Sequence, residues 1–525
     1  MAIISFPAWT HRTTRALPRA ASRNMIRLVA TLSLATGAIL LSGARPEAQQ
    51  LRPCPFDIDT AIVLHNRAMD DLVNSRFIHD EEDARKREIK RKLDSQLKAE
   101  AEAFARAGRS GSRSFAEDVD AVSQGGTRDF RDLARAYLAP GQNGEAEGSN
   151  AVIAYVPDGE TVCGIYAEYR PGWSEPRAFM FELPLPSGEL VRLVDARMGE
   201  LTLSTTRLDR SPVLRSEETA QTEPEDFEGV TRAATPKRAH SAATRPPALI
   251  LADLSAALFP APVFHHIEHE ISNLTVVPAL NIGTVPFAAL DLDGDGQPLI
   301  ATTTLNVEAA LHSILGGDIY GWDGIVRHAL VMGDPDATAD LEWRLPRLPG
   351  ALKEAEAVAA LFRSQPIVAR YATVARLLGE ISGADYIHIA AHGIADPADP
   401  IDGSFLALSG GRLTAREIQS LDLRAMLPVV VLSACQSALG GTLEAGIIGV
   451  ARGFLYAGAI NVVASLWNVD DAATFEIMLR FAEELKTSSP QNALRVAQLE
   501  ARDKWPDPRI WAAFTVYGAR VVDAP

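Results

Sequence analysis

Along the second half of the chain, short apolar runs alternate with amphipathic stretches. Three runs stand out, in DYIHIAAHG, VVVLSACQSALGG and INVVASLWNVDDAAT. Each is rich in β-branched residues and ends in small or polar ones, the pattern of a strand buried on both faces of a parallel sheet. Helical patterns lie between them, so Asp385 to Thr474 reads as an α/β unit. Upstream, ALVMGDP predicts another buried strand over Ala329–Pro335, ending in a Gly-Asp-Pro turn. The stretch LPGALKEAEAVAALF then predicts an amphipathic helix with Leu352, Ala355, Val358 and Leu361 or Phe362 on its buried face. LADLSAALF reads as a helix and LTVVPA as a strand. AVIAYVP, TVCGIYAEY and AFMFELPLP read as strands, with a hairpin at Asp158-Gly159. The terminal WAAFTVYG reads as a last strand that closes the sheet.

In open parallel sheets, ligands sit beyond the carboxyl ends of the strands. The first run delivers His392 and Gly393 to that edge, and the second delivers Ser433, Ala434 and Cys435. A thiol and an imidazole at two strand ends of one sheet are what cysteine nucleophilic catalysis requires, however far apart they stand in sequence. Taken singly, each has a plainer reading, since strand-end cysteines are usually packing groups. His388, inside the first apolar run, reads as a hydrogen-bonded core histidine. Trp467, Asp470 and Asp471 follow the third run. A carboxylate in a pocket favours a basic side chain, and aspartate is also a preferred N-cap for the helix DAATFEIMLRFAEEL. One of the two aspartates reads as the cap and the other stays open; Trp467 either walls the pocket or packs.

HIAAHG, LSACQSALG, the helix EAGIIGVARGFLYAGA and VVASLWNVDDAAT, in that order, together resemble the CHAT domain of the caspase–separase–gingipain clan of cysteine peptidases. The resemblance covers about Ala151 to Gly518. It implies an α/β, caspase-like three-layer sandwich around a mainly parallel sheet, with a helical segment before it. It places the catalytic histidine on His392 and the nucleophile on Cys435, with Gly393 N–H and Cys435 N–H as the oxyanion hole. No third triad member is evident, so a dyad is expected, with no metal and no cofactor. Ala445 and Asn468 stand where the family often has an acidic residue and a proline. The activity implied is that of a cysteine endopeptidase working through an acyl-enzyme on a protein or peptide substrate, cutting after basic residues if an aspartate lines the pocket. An activating protein partner fits such an enzyme. The alternative is a catalytically silent caspase-like module that binds or scaffolds proteins, because fold does not fix activity.

Composition changes this picture in three ways. The 525 residues carry a net charge of −16, which argues against nucleic acid as the main partner, since phosphate binding needs a basic surface. The three cysteines, Cys54, Cys163 and Cys435, have no metal-ligand spacing. Arg12, Arg15, Arg19, Arg23 and Arg27 precede an apolar run from Leu28 to Leu41 and then Ser42-Gly43-Ala44, the pattern of a secretory signal, with Met25 an alternative start. Residues 1–48 therefore read as a signal peptide or an N-terminal anchor. The protein is expected to be exported, periplasmic or extracellular, with no stable membrane span once the signal is cleaved, and cytoplasmic if that segment is not genuine. If it is exported, Cys54 and Cys163 either pair or remain two buried thiols.

Residues 51–140 read as helical, with Ile89, Leu93, Leu97 and Phe104 on one face and no repeat period of the tetratricopeptide kind that many CHAT proteins carry. The resemblance implies a CHAT domain over 151–525, interrupted over about 211–245 by a Glu/Thr/Pro/Ala-rich linker. His265, His266 and His269 cluster before the LTVVPA strand and read as a polar turn. Asp291, Asp293 and Asp295 in DLDGDG mimic the start of a calcium loop, but the twelfth position is Thr302 rather than glutamate, so a plain turn is expected.

Overall fold

The structure is a computed structural model. It describes residues 52–58, 60–62, 64–65, 137–138, 148–202, 245–260, 263–264, 267, 271–308, 311, 314, 319–338, 345–396, 399–434, 441–443 and 446–523. The signal or anchor at 1–48, the apolar stripe from Ile89 to Phe104, the linker over 211–244, the three clustered histidines and Cys435 lie outside the described residues.

Three strands, β1 (Asn150–Asp158), β2 (Thr161–Tyr169) and β3 (Arg177–Glu182), precede helix α1 (Ser187–Thr202). Helix α2 (Pro247–Leu258) leads to β4 (Asn273–Val277), β5 (Thr304–Val307) and β6 (Ile319–Trp322). Then come β7 (Ala329–Pro335), α3 (Pro349–Leu361), β8 (Ile367–Ala369), α4 (Val374–Glu380) and β9 (Tyr386–Ile394). A hairpin of β10 (Phe405–Leu408) and β11 (Gly411–Thr414) and helix α5 (Ala415–Gln419) separate β9 from β12 (Val429–Ala434). β13 (Gly441–Leu443), β14 (Gly446–Ile448), α6 (Val450–Ala457) and β15 (Asn461–Ser465) follow. The chain ends in α7 (Asp471–Glu484), α8 (Pro490–Lys504), α9 (Pro508–Trp511), β16 (Phe514–Gly518) and β17 (Arg520–Asp523).

These elements make a mixed α/β fold around one large, mainly parallel sheet. Its strand order is β11-β10-β9-β12-β15-β16-β5-β4-β1-β2-β3, with β7 beside β9 and β8 beside β7. The three apolar runs are parallel neighbours, in the order β9-β12-β15. Their residues are buried because β9 is flanked by β12 on one side and β7 on the other. Beyond the end of β7, β9 continues and pairs antiparallel with β10, placing His392 opposite Ala407 and Gly393 opposite Leu406. The hairpin expected at Asp158-Gly159 joins β1 to β2, with Asp158 opposite Thr161 and Gly159 at a positive φ of 59°.

Four expectations need correction. Between the first two apolar runs, where helical pattern was expected, β10 and β11 form a hairpin; its signal is the Ser409-Gly410 pair after the apolar FLAL, with Gly410 at φ 74°. The helix over EAGIIGVARGFLYAGA is shorter, because Gly446–Ile448 pairs with Gly441–Leu443 as a small hairpin and α6 begins only at Val450. Two β-branched residues between glycines favour a strand over a helix. β16 does not close the sheet at an edge. It lies inside, antiparallel to β15 and beside β5, and the chain goes on to β17, which pairs with β6. On α3, Glu354 is buried with Ala355, Val358 and Ala359, while Leu352 is only half-buried.

Cys54 and Cys163 form a disulfide with their Cα atoms 6.0 Å apart. It fastens the segment at 52–56 to β2, and Glu182 N–H donates to Arg52 O across the same junction at 2.9 Å. Cys163 itself is fully buried.

Candidate active site

The last paired residues of β9 and β12 are Ala391 and Ala434. Each is followed in sequence by one of the two candidate reactive residues, His392 and Cys435. His392 is partly exposed at the strand end. Its Nε2 lies 2.7 Å from the carbonyl oxygen of Pro346. A carbonyl only accepts, so Nε2 carries the proton and Nδ1 is the nitrogen left for proton exchange. The sequence predicted a dyad with no third member. The structure adds a backbone carbonyl as the group that fixes the imidazole's tautomer.

That carbonyl belongs to the short segment entering α3. The carboxylate of Asp334, at the end of β7, accepts from Arg347 Nε at 3.0 Å with both oxygens, from Arg347 Nη2, and from Leu348 N at 2.6 Å. The Asp334 side chain is only 3% exposed. The hydrogen bond to Asp334 raises the Arg347 guanidinium above its ordinary value, so Arg347 stays charged.

Four residues before His392 on the same face of β9 sits His388, fully buried. Its Nδ1 lies 3.0 Å from Tyr386 Oη and its Nε2 2.6 Å from Glu354 Oε1. Burial, and then the Glu354 charge, push the Tyr386 hydroxyl well above its usual range, so it keeps its proton. Tyr386 O–H donates to Nδ1 and Nε2–H donates to Glu354, which satisfies both ring nitrogens. His388 is a hydrogen-bonded core residue, as its place in the apolar run predicted.

A small cleft lies at the ends of the three parallel strands. Ala391, Ser433, Ala434, Ser465 and Trp467 line it from the sheet, and Glu354 and Asp471 from α3 and α7. Ser465 Oγ donates to Ala434 O at 2.7 Å, tying the end of β12 to β15. Trp467 both packs and lines the cleft: it is 2% exposed and its indole donates to Arg509 O at 2.8 Å. Of the two aspartates, Asp470 is the cap, its carboxylate accepting from Ala472 N and Ala473 N. Asp471, in the first turn of α7, is exposed and borders the cleft. It lies so close to α3 that a Cβ on Gly350 would approach Asp471 Cβ to 2.7 Å. Gly393 sits in β9 opposite Leu406.

In the DLDGDG loop, the Asp291 carboxylate accepts from Gly294 N at 2.7 Å and Gly296 N at 2.9 Å. Carboxylate oxygens of Asp291, Asp293 and Asp295 lie within 4.8 Å of one another. Each accepts from the loop's own amides, as aspartates in turns do.

Sequence reasoning missed Pro346, Arg347, Asp334 and Glu354. A backbone carbonyl has no residue signature, and the Gly-Asp-Pro at the end of β7 read only as a turn. Glu354 had a weak signal, a carboxylate at helical spacing among apolar positions.

The CHAT domain family model matches residues 249–519, about half of the chain. The chain belongs to the CHAT domain family. Among curated proteins it is similar to Tetratricopeptide repeat protein 28 of Mus musculus, 26% identical over 341 residues, covering 54% of this chain and 14% of that protein. The Homo sapiens protein of the same name is 27% identical over 237 residues, covering 37% of this chain and 9% of that protein. The chain thus spans a small fraction of the length of these relatives. Among solved structures it resembles the Saccharomyces cerevisiae separase–securin complex, at 11% identity and a TM-score of 0.47, covering 96% of this chain and 38% of that one. It also resembles the Arg-specific cysteine proteinase gingipain R, at 11% identity and a TM-score of 0.36, covering 52% and 67%.

Proposed function

We propose that the protein is a cysteine endopeptidase in which Cys435 is the nucleophile and His392 its acid–base partner. The observation that carries this reading is the 2.7 Å bond from His392 Nε2 to the Pro346 carbonyl, at the strand end next to the one that runs into Cys435. It supports an imidazole held in one tautomer with Nδ1 left to exchange a proton, which a purely structural histidine does not need. His392 Nδ1 takes the proton of the Cys435 thiol, and the thiolate attacks the scissile carbonyl carbon, forming a C–S bond. The oxyanion is assigned to Gly393 N–H and Cys435 N–H. Collapse breaks the C–N bond, and His392 gives its proton to the departing amine. Water, deprotonated by His392, then hydrolyses the thioester and frees the thiol.

Asp471, exposed at the rim of the cleft, supports a preference for lysine or arginine before the cut. Trp467 forms part of the wall. The Cys54–Cys163 disulfide supports export to an oxidising compartment, where such bonds persist. Of the three cysteines in the sequence, Cys435 is the one that this bond does not use. Among the described residues no helix is long and apolar enough to cross a membrane.

The test compares the full chain with its Cys435→Ala variant on a diverse peptide mixture, with new termini identified by mass spectrometry. Cuts made only by the wild type, after lysine or arginine, are expected. Folded wild type that makes no cuts, alone and with candidate activating partners, favours the silent binding module instead.

A further inference from the structure

The turn at the end of β7 holds more chemistry than a turn needs. Gly333 approaches α3 so closely that a Cβ there would stand 2.5 Å from Ala351 O and 2.5 Å from Ala355 Cβ. Asp334 follows with φ 46°, a left-handed conformation that is uncommon for a residue with a side chain. This conformation persists only where the surroundings over-determine it, and such residues gather at functional sites. Here the surroundings are Arg347, whose guanidinium forks onto both carboxylate oxygens, and the Leu348 amide. Leu348 is the N-cap residue of α3 and has no side chain able to cap it. The Asp334 carboxylate, on β7, instead holds the amide of that N-cap residue itself.

We propose that Asp334 is the positioning residue for His392. It acts through Arg347 and Leu348 to fix the direction of the Pro346 carbonyl, and so selects the Nε2–H tautomer of the imidazole. Pro346 has its φ set by its own ring, and the two residues after it are held by one buried carboxylate. The carbonyl between these constraints has little freedom left. The functional consequence rests on the peptidase reading above; the geometric one does not.

A merely structural Asp334 would hold the entry to α3 and leave the imidazole alone, so the deciding measurement is spectroscopic. The full chain is labelled with 15N-histidine, and the ring nitrogens of His392 are assigned with a His392→Gln variant. In the wild type, His392 is expected as a single Nε2–H tautomer. In Asp334→Asn the charge that holds the guanidinium is gone, and His392 is expected as a mixture of tautomers while His388 keeps its wild-type shifts. If the wild type cleaves peptides, kcat falls on the order of tenfold to a hundredfold at unchanged KM, the scale of a small misplacement of a catalytic group. If Asp334→Asn does not fold, Arg347→Gln makes the same test, since it removes the fork and keeps the bond to Leu348. A folded variant whose His392 shows the wild-type tautomer overturns the proposal. A wild type that cleaves nothing overturns the peptidase reading, and the spectrum still decides this one.

Discussion

Two histidines of β9, His388 and His392, share one strand face and differ in almost everything else. The half of β9 around His388 runs between β7 and β12 and is sealed on all sides, so both ring nitrogens had to find partners inside the protein, in Tyr386 and Glu354. The half around His392 has passed the end of β7 and pairs with β10 at the rim, where the ring is bound through Nε2 to a carbonyl. A buried imidazole with two fixed partners can neither take nor give a proton without breaking the network. One held at a single nitrogen at a partly exposed strand end keeps its other nitrogen available. What separates the two histidines here is where a neighbouring strand stops.

Four variants sharpen or break that contrast. The largest effect is expected from His392→Ala, which should lower the rate of peptide cleavage by about a hundredfold to ten-thousandfold, the range for losing a general acid–base group. Its urea midpoint should stay near that of the wild type. His388→Ala should do the reverse, lowering stability by about 3–5 kcal/mol because Glu354 is left buried without its partner, read by urea unfolding. The double variant His388→Leu with Glu354→Leu should cost less than either single change, because removing a buried pair together leaves no orphan. A double variant less stable than both singles would contradict that account of the pair. The smallest effect is expected from Ser465→Ala, which frees the Ala434 carbonyl and should cost about 1 kcal/mol, with a modest change in kcat if the end of β12 guides the nucleophile.

Much of the architecture was legible because parallel strands buried on both faces write themselves as continuous β-branched runs. β7, β9, β12 and β15 were all readable in that way, and so was the helix after β7. The hairpin β10–β11 was harder, since its two short strands are joined by Ser409-Gly410 and look like loop sequence until paired. β16 was misplaced because an apolar run does not say which neighbour it will find. At the site, His392, Trp467 and the Asp470 cap were visible as residue types at strand ends and a helix start. The positioning layer was not. Pro346 acts through its backbone, and Asp334 acts through a left-handed conformation that a Gly-Asp-Pro sequence does not announce. Glu354 was hidden because a charged residue on a buried helix face makes sense only once His388 is placed opposite it.

The most direct test of the central claim is covalent capture at Cys435. A short peptide ending in arginyl acyloxymethyl ketone is incubated with the full chain, and the adduct is located by intact mass and peptide mapping. One adduct on Cys435 is expected, formed rapidly by the wild type and by His388→Phe if that variant folds, and far more slowly by His392→Ala. Capture at the same rate in the wild type and His392→Ala, or no capture on Cys435 in folded protein, would contradict the pairing of these two residues.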